Sequence, residues 1–219
     1  MSGWSVGFDL DMTLVDSAAG IEATLRATLA EHGRILDAAV LWPLLGVPLE
    51  VTVETLVPDL DGDAVVRRYR ELYPVLGVEQ VTAMPGAFEA VAAVRGLGGR
   101  VVVVSAKLER AVHRVLDHVG LAPDEVVGDL FGAGKAVALQ RFGARVYVGD
   151  HPGDMAAAHA AQCTAVGVST GPHDAAALRA AGADHVLGDL GEFPAHLPGW
   201  VTPTAQPAGR TGSVRPSGR

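Results

Sequence analysis

The stretch Phe8-Asp9-Leu10-Asp11-Met12-Thr13-Leu14-Val15 decides the reading of this chain. An apolar strand over 4–8 runs directly into two carboxylates at i and i+2, and a small hydroxyl, Thr13, follows at i+4 from the first. Burying an unpaired carboxylate is costly, so a pair at a strand end implies a cation, a phosphate or proton chemistry. An Asp-x-Asp by itself is common. Its meaning rests on what the remaining strand ends supply.

Working outward, apolar β-branched runs recur at 5–8, 100–104, 125–127, 145–148, 164–168 and 184–187. Helical patterns separate most of them, at 86–97, 108–119, 136–142 and 155–162. Strands that are apolar on both faces and alternate with helices predict an α/β fold, a Rossmann-like parallel sheet with helices on both faces. In such open sheets ligands bind outside the carboxyl ends of the strands. Residues 16–82 break the rhythm. They carry helical spacing instead, with Ile21, Leu25 and Leu29 in one segment and Val65, Val66, Tyr69 and Leu72 in another. The expected organisation is a core of 1–15 and 83–197, a small all-helical cap domain of 16–82 inserted after the first strand, and a disordered tail of 198–219. The tail is rich in Pro, Gly, Ser, Thr and Arg.

The chain of 219 residues suffices for one full domain plus a small insert. No apolar run reaches the ~20 residues of a membrane span, and no secretory signal is evident at the N-terminus. A single cysteine, Cys163, excludes an internal disulfide and fits a reducing, cytoplasmic setting. A formal charge of −8 argues against nucleic acid as a partner.

Three more strand ends carry polar residues. Ser105 follows Val101 to Val104, with Ala106 and Lys107 after it, and Asp150 follows Tyr147-Val148-Gly149. Pro152 suits the first position of a helix, which places Asp154 in its first turn, facing the same rim as Asp150. Lys135 lies between these strands in the Gly132-Ala133-Gly134-Lys135 turn. Asp9, Asp150 and Asp154 are hard oxygen ligands that suit Mg2+. Asp9 is placed to attack phosphorus and Asp11 to move protons. Ser105 with the amide after it would hold phosphoryl oxygens, and Lys135 would offset negative charge. The Gly-rich turn is not a P-loop, because Ala136 stands where a Mg2+-binding Ser or Thr is needed.

As a set these residues resemble the haloacid dehalogenase-like hydrolases, specifically the phosphoglycolate phosphatase-like group with a helical cap. The resemblance spans about residues 4–196 and rests on four motifs: Asp9-Leu10-Asp11-Met12-Thr13, Ser105, Lys135, and Gly149-Asp150-His151-Pro152-Gly153-Asp154. It implies a Mg2+-dependent phosphatase acting through an aspartyl-phosphate on Asp9, with a small phosphorylated metabolite as partner; phosphoglycolate is the best single choice. Catalytic roles fall to Asp9, Asp11, Ser105 and Lys135. Substrate contacts fall to Thr13, Ser105, Ala106, Lys107 and Lys135, and metal ligation to Asp9, Asp11, Asp150 and Asp154, Asp154 acting either through water or by orienting Lys135. Asp11 separates phosphate chemistry from dehalogenation, whose relatives lack that acid. A sugar-phosphate mutase of the β-phosphoglucomutase kind and a non-catalytic ligand-binding domain are the rival readings. Two departures from the family pattern stand out: Met12 replaces a usual Gly, and Lys135 lacks the usual following Pro.

Overall fold

The computed structural model describes residues 3–201. The chain enters as β1 (Ser5–Phe8), turns tightly and forms a two-residue strand, β2 (Val15–Asp16). It then runs through α1 (Ala18–Ala30), α2 (Ala38–Leu41), α3 (Leu49–Leu56) and α4 (Gly62–Leu76), and returns along β3 (Thr82–Ala83). From there helices and strands alternate: α5 (Ala87–Gly96), β4 (Arg100–Val104), α6 (Glu109–Val119), β5 (Glu125–Val127), α7 (Lys135–Arg141), β6 (Ala144–Gly149), α8 (Pro152–Ala160), β7 (Thr164–Val168), α9 (Ala175–Ala180), β8 (His185–Leu187) and α10 (Phe193–Val201).

The main sheet has the order β5-β4-β1-β6-β7-β8, with every pairing parallel. The chain builds outward from β1 on one side, then crosses back to build the other side. β1 therefore lies at the topological switch point, where crevices open in sheets of this kind. Register does the rest. Phe8 pairs with Val103 on one side and Val148 on the other, so Asp9, Ser105 and Asp150 all emerge at one edge within two residues of that row.

The period-2 pleat divides the apolar residues between two cores. Val101 and Val103 of β4 join a core containing Val94 of α5, Val115 of α6 and Phe193 of α10. Val102 and Val104 face Leu139 of α7 and Met155 and Ala158 of α8. All four valines are fully buried, and each contributes about 1.5–3 kcal/mol by area. This is the physical reason β4 reads as an unbroken apolar run.

β2 and β3 pair antiparallel, Val15 with Ala83 and Asp16 with Thr82. The two chain crossings into the helical insert thus lie side by side. Within the insert, α1 packs on α4 and α3 on α4. Pro48 does not interrupt helix here; it stands immediately before α3, where its missing N–H costs nothing. The expected tail boundary at 197 needs correction. α10 continues to Val201, with Leu197 and Val201 buried and Arg145 donating to the Val201 carbonyl at 2.6 Å. Trp200 packs against Phe193, His185 and His196. The remainder of the expected tail, 202–219, lies outside the described residues.

Candidate active site

The turn after β1 aims its carboxylates by folding back on itself. The Asp9 N–H donates to the Val148 carbonyl at 2.8 Å, continuing the sheet for one more residue. The N–H groups of Leu14 and Val15 then both return to the Leu10 carbonyl. Closing so short a loop puts Met12 at φ 58°, in the left-handed region. A non-Gly residue there costs about 1–2 kcal/mol, which accounts for the glycine usual at this position in the resembling family. Met12 offsets the cost by burying its side chain, 3% exposed, in the main core. The Thr170 hydroxyl also donates to the Met12 carbonyl.

Asp9 is 3% exposed and faces Lys135, whose Nζ lies 3.1 Å from Asp9 Oδ1 and 2.7 Å from Asp154 Oδ1. Burial pushes the Asp9 carboxyl up to about 7, Lys135 pulls it back, and Asp154 and Asp11 add to the rise. Lys135 is itself buried, which would depress it, yet the two carboxylates outweigh this and hold the ammonium form. Lys135 is the first residue of α7, set by a 3-10 turn over Gly132–Gly134.

Asp154 occupies the first turn of α8, as its spacing from Pro152 predicts. Both of its oxygens are engaged. The Tyr147 hydroxyl and Lys135 share Oδ1, and the His151 N–H donates to Oδ2 at 3.2 Å. Asp150 differs. Thr13 donates to its Oδ1 at 3.0 Å, but the buried Oδ2 has no hydrogen-bond partner. Burial, with Asp9 and Asp154 nearby, holds the Asp150 carboxyl well above the usual carboxylate range. Carboxylate oxygens of Asp9, Asp150 and Asp154 lie within 4.8 Å of one another. An orphaned buried oxygen beside two other carboxylates fits a hard divalent cation, which would neutralise the cluster. Gly171 makes room for this arrangement, since a Cβ there would sit 1.9 Å from Asp150 Oδ2. Thr13 itself is fully buried with its hydroxyl spent on Asp150. In this arrangement its hydroxyl positions a carboxylate.

On the β4 side, Ser105 is buried, and its Oγ accepts the Lys107 N–H at 3.2 Å. Lys107 Nζ lies 3.3 Å from Asp11 Oδ1 and 4.5 Å from the ring centre of Tyr73, a residue of α4 in the insert. Asp9, Asp11, Ser105, Ala106 and Lys107 share one cavity of about 340 Å3, closed on its other side by the helical insert. The strand-end residues thus converge in two adjoining groups. Asp9 and Asp11 face the cavity, while Lys135, Asp150 and Asp154 back them. Sequence reasoning missed Tyr73, Tyr147 and Gly171. Tyr147 sits inside an apolar strand and reads as core, and Tyr73 reads as one more apolar position on α4.

A family model described as haloacid dehalogenase-like hydrolase matches residues 6–159, and a second, HAD-hydrolase-like, matches 132–193. The phosphoglycolate phosphatase of Chromobacterium violaceum is 30% identical over 212 residues, covering 86% of this chain and 94% of its own length. A protein of Dickeya dadantii named Probable phosphatase IndB is 29% identical over 194 residues, 80% of this chain and 84% of its own. Among solved structures, a haloacid dehalogenase-like hydrolase from Streptococcus pneumoniae superposes with a TM-score of 0.80 at 22% identity, covering 89% of this chain and 98% of its own. The chain belongs to the haloacid dehalogenase-like hydrolases, within the phosphoglycolate phosphatase-like group.

Proposed function

We propose that this hydrolase is a Mg2+-dependent phosphatase that cleaves a phosphate monoester through an aspartyl-phosphate on Asp9. The observation that carries the reading is the pair of carboxylates at one cavity wall, Asp9 against Lys135 and Asp11 against Lys107. An Asp9 oxygen forms a bond to phosphorus as the ester P–O bond breaks, and Asp11 gives a proton to the departing alkoxide. Asp11, now a carboxylate, takes a proton from water. The water oxygen bonds to phosphorus, the Asp9–phosphorus bond breaks, and phosphate leaves with Asp9 regenerated. Ser105 and the amide after it hold phosphoryl oxygens, and Lys135 balances charge on Asp9.

Asp9, Asp150 and the Asp11 carbonyl would hold the Mg2+, with Asp154 orienting Lys135 behind them. A bound Mg2+ supplies positive charge to phosphoryl oxygens as charge moves between them. The insert of α1 to α4 acts as a cap, because it roofs the cavity and is tied to the core through the paired crossings of β2 and β3. The names of relatives make phosphoglycolate the first ester to test. The test is phosphate release from a generic aryl phosphate. Wild type should turn over only with Mg2+ present, and Asp9→Asn should abolish turnover. Metal-independent release, or release surviving Asp9→Asn, overturns the reading.

A further inference from the structure

The cavity's own lining says more about the ester than the names of relatives do. Opposite the carboxylates, its wall is made by Leu25, Leu41, Leu45, Leu49, Tyr69 and Tyr73 of the insert. All but Leu49 are buried within the fold yet front the open cavity. Tyr69 and Tyr73 stack with ring centres 5.5 Å apart, and Lys107 Nζ lies 4.5 Å over the Tyr73 ring. A volume of about 340 Å3 falls within the range of small-molecule sites, roughly 300–1,000 Å3.

The charged groups on the same wall are committed elsewhere. Arg70 is held by Glu50 at 2.6 Å, and Lys107 by Asp11 and the Tyr73 face. Glu71 binds Arg68 at 2.9 Å, and the buried Thr52 hydroxyl donates to the Pro48 carbonyl. Arg110 and Arg114 of α6 also border the cavity but are exposed. A carboxylate beside them is screened by water and salt and gains little. A short acid such as glycolate would set a second negative charge among leucines and tyrosines, where desolvation opposes it.

We propose that the organic group of the ester is apolar and several carbons long or aromatic, seated on the Leu25–Leu45–Tyr69–Tyr73 wall. The proposal rests on the phosphatase reading above and names its substrate class. Each methylene removed from water on that wall should raise kcat/KM by roughly fourfold until the cavity is full.

The test is a series of ethyl, butyl and hexyl phosphates, whose leaving alcohols are alike in acidity, assayed beside phosphoglycolate with Mg2+. Expected is a kcat/KM that climbs along the series, with hexyl phosphate at least tenfold above phosphoglycolate. Leu49→Gln should lower kcat/KM for hexyl phosphate more than for ethyl phosphate. A flat series, or phosphoglycolate as the best ester, overturns the proposal while leaving the phosphatase reading intact. If no ester is hydrolysed, the phosphatase reading falls, and the matching alkylphosphonates still decide the cavity's preference by calorimetry. Affinity rising with chain length supports it; affinity independent of chain length overturns it.

Discussion

Replacing Lys135 by Met leaves the Asp9 and Asp154 carboxylates buried without their shared cation. The lysine is 2% exposed and within 3.1 Å of both acids, whose side chains are 4% and 2% exposed. Removing one partner of a buried pair typically costs about 3–5 kcal/mol, because the remaining charge has nothing to answer it. Asp154 keeps the Tyr147 hydroxyl and the His151 N–H, so the loss falls mainly on Asp9. That carboxyl is already raised from 3.8 to about 7, with burial the main cause, and losing Lys135 raises it further. The sign follows from linkage. An acid whose folded pKa exceeds its unfolded value binds more protons when folded. Stability is therefore full below pH ~4 and falls as pH rises toward the folded pKa. The Lys135→Met penalty of about 3–5 kcal/mol at pH 8, a drop in Tm of roughly 6–20 °C for a chain of this size, should accordingly shrink by about 1.4 kcal/mol at pH 5, because wild type and variant part only over the one pH unit above the wild-type Asp9 value of about 7. Urea unfolding with chelator present, at both pH values, measures it. Adding Asp9→Asn should recover about 1–3 kcal/mol at pH 8, as expected for residues in contact. A penalty below about 1 kcal/mol at pH 8, or an equal one at pH 5, would refute the claim that this ion pair is buried and tightly coupled.

Three further outcomes follow from the same geometry. Because a proton on Asp9 competes with a cation, Mg2+ affinity should fall about tenfold for each pH unit below about 7; calorimetry at pH 6, 7 and 8 checks this, and a flat profile contradicts it. Gly171→Ala places a Cβ where Asp150 Oδ2 sits, so Mg2+ affinity should drop by roughly 10–100-fold while circular dichroism stays unchanged. Tyr147→Phe removes a hydroxyl lying 3.1 Å from both the Val104 carbonyl and Asp154 Oδ1. Denaturant titration should show a loss of about 1–3 kcal/mol, since buried acceptors lose their donor.

Much of this arrangement is legible along the chain, for identifiable reasons. β1, β4 and β7 begin and end where their apolar runs do, because strands buried on both faces leave a continuous signature. The strand-end carboxylates are visible for the same reason, as abrupt polar residues after apolar runs. Three things are not visible. α2 and α9 span 4 and 6 residues, too short to develop a period, and rest on the Asp37 and Asp174 caps. α10 contains Pro198, so composition reads it as tail, yet packing of Leu197, Trp200 and Val201 carries the helix past it. Tyr147 and Gly171 act through contacts made across the fold, which no local pattern encodes. Met12 is intermediate: its departure from the family pattern is plain in the sequence, but its left-handed backbone and buried side chain emerge only in the structure.

The central claim is that Asp9 carries the phosphoryl group. It is tested most directly by quenching the enzyme in acid during turnover with Mg2+ and an alkyl phosphate, then reducing with borohydride. An acyl phosphate on Asp9 is converted to homoserine, which peptide mass spectrometry locates. The account predicts homoserine at position 9 in the wild type and none in Asp9→Asn. Turnover that leaves Asp9 unmodified, or reduction at another carboxylate, would contradict it.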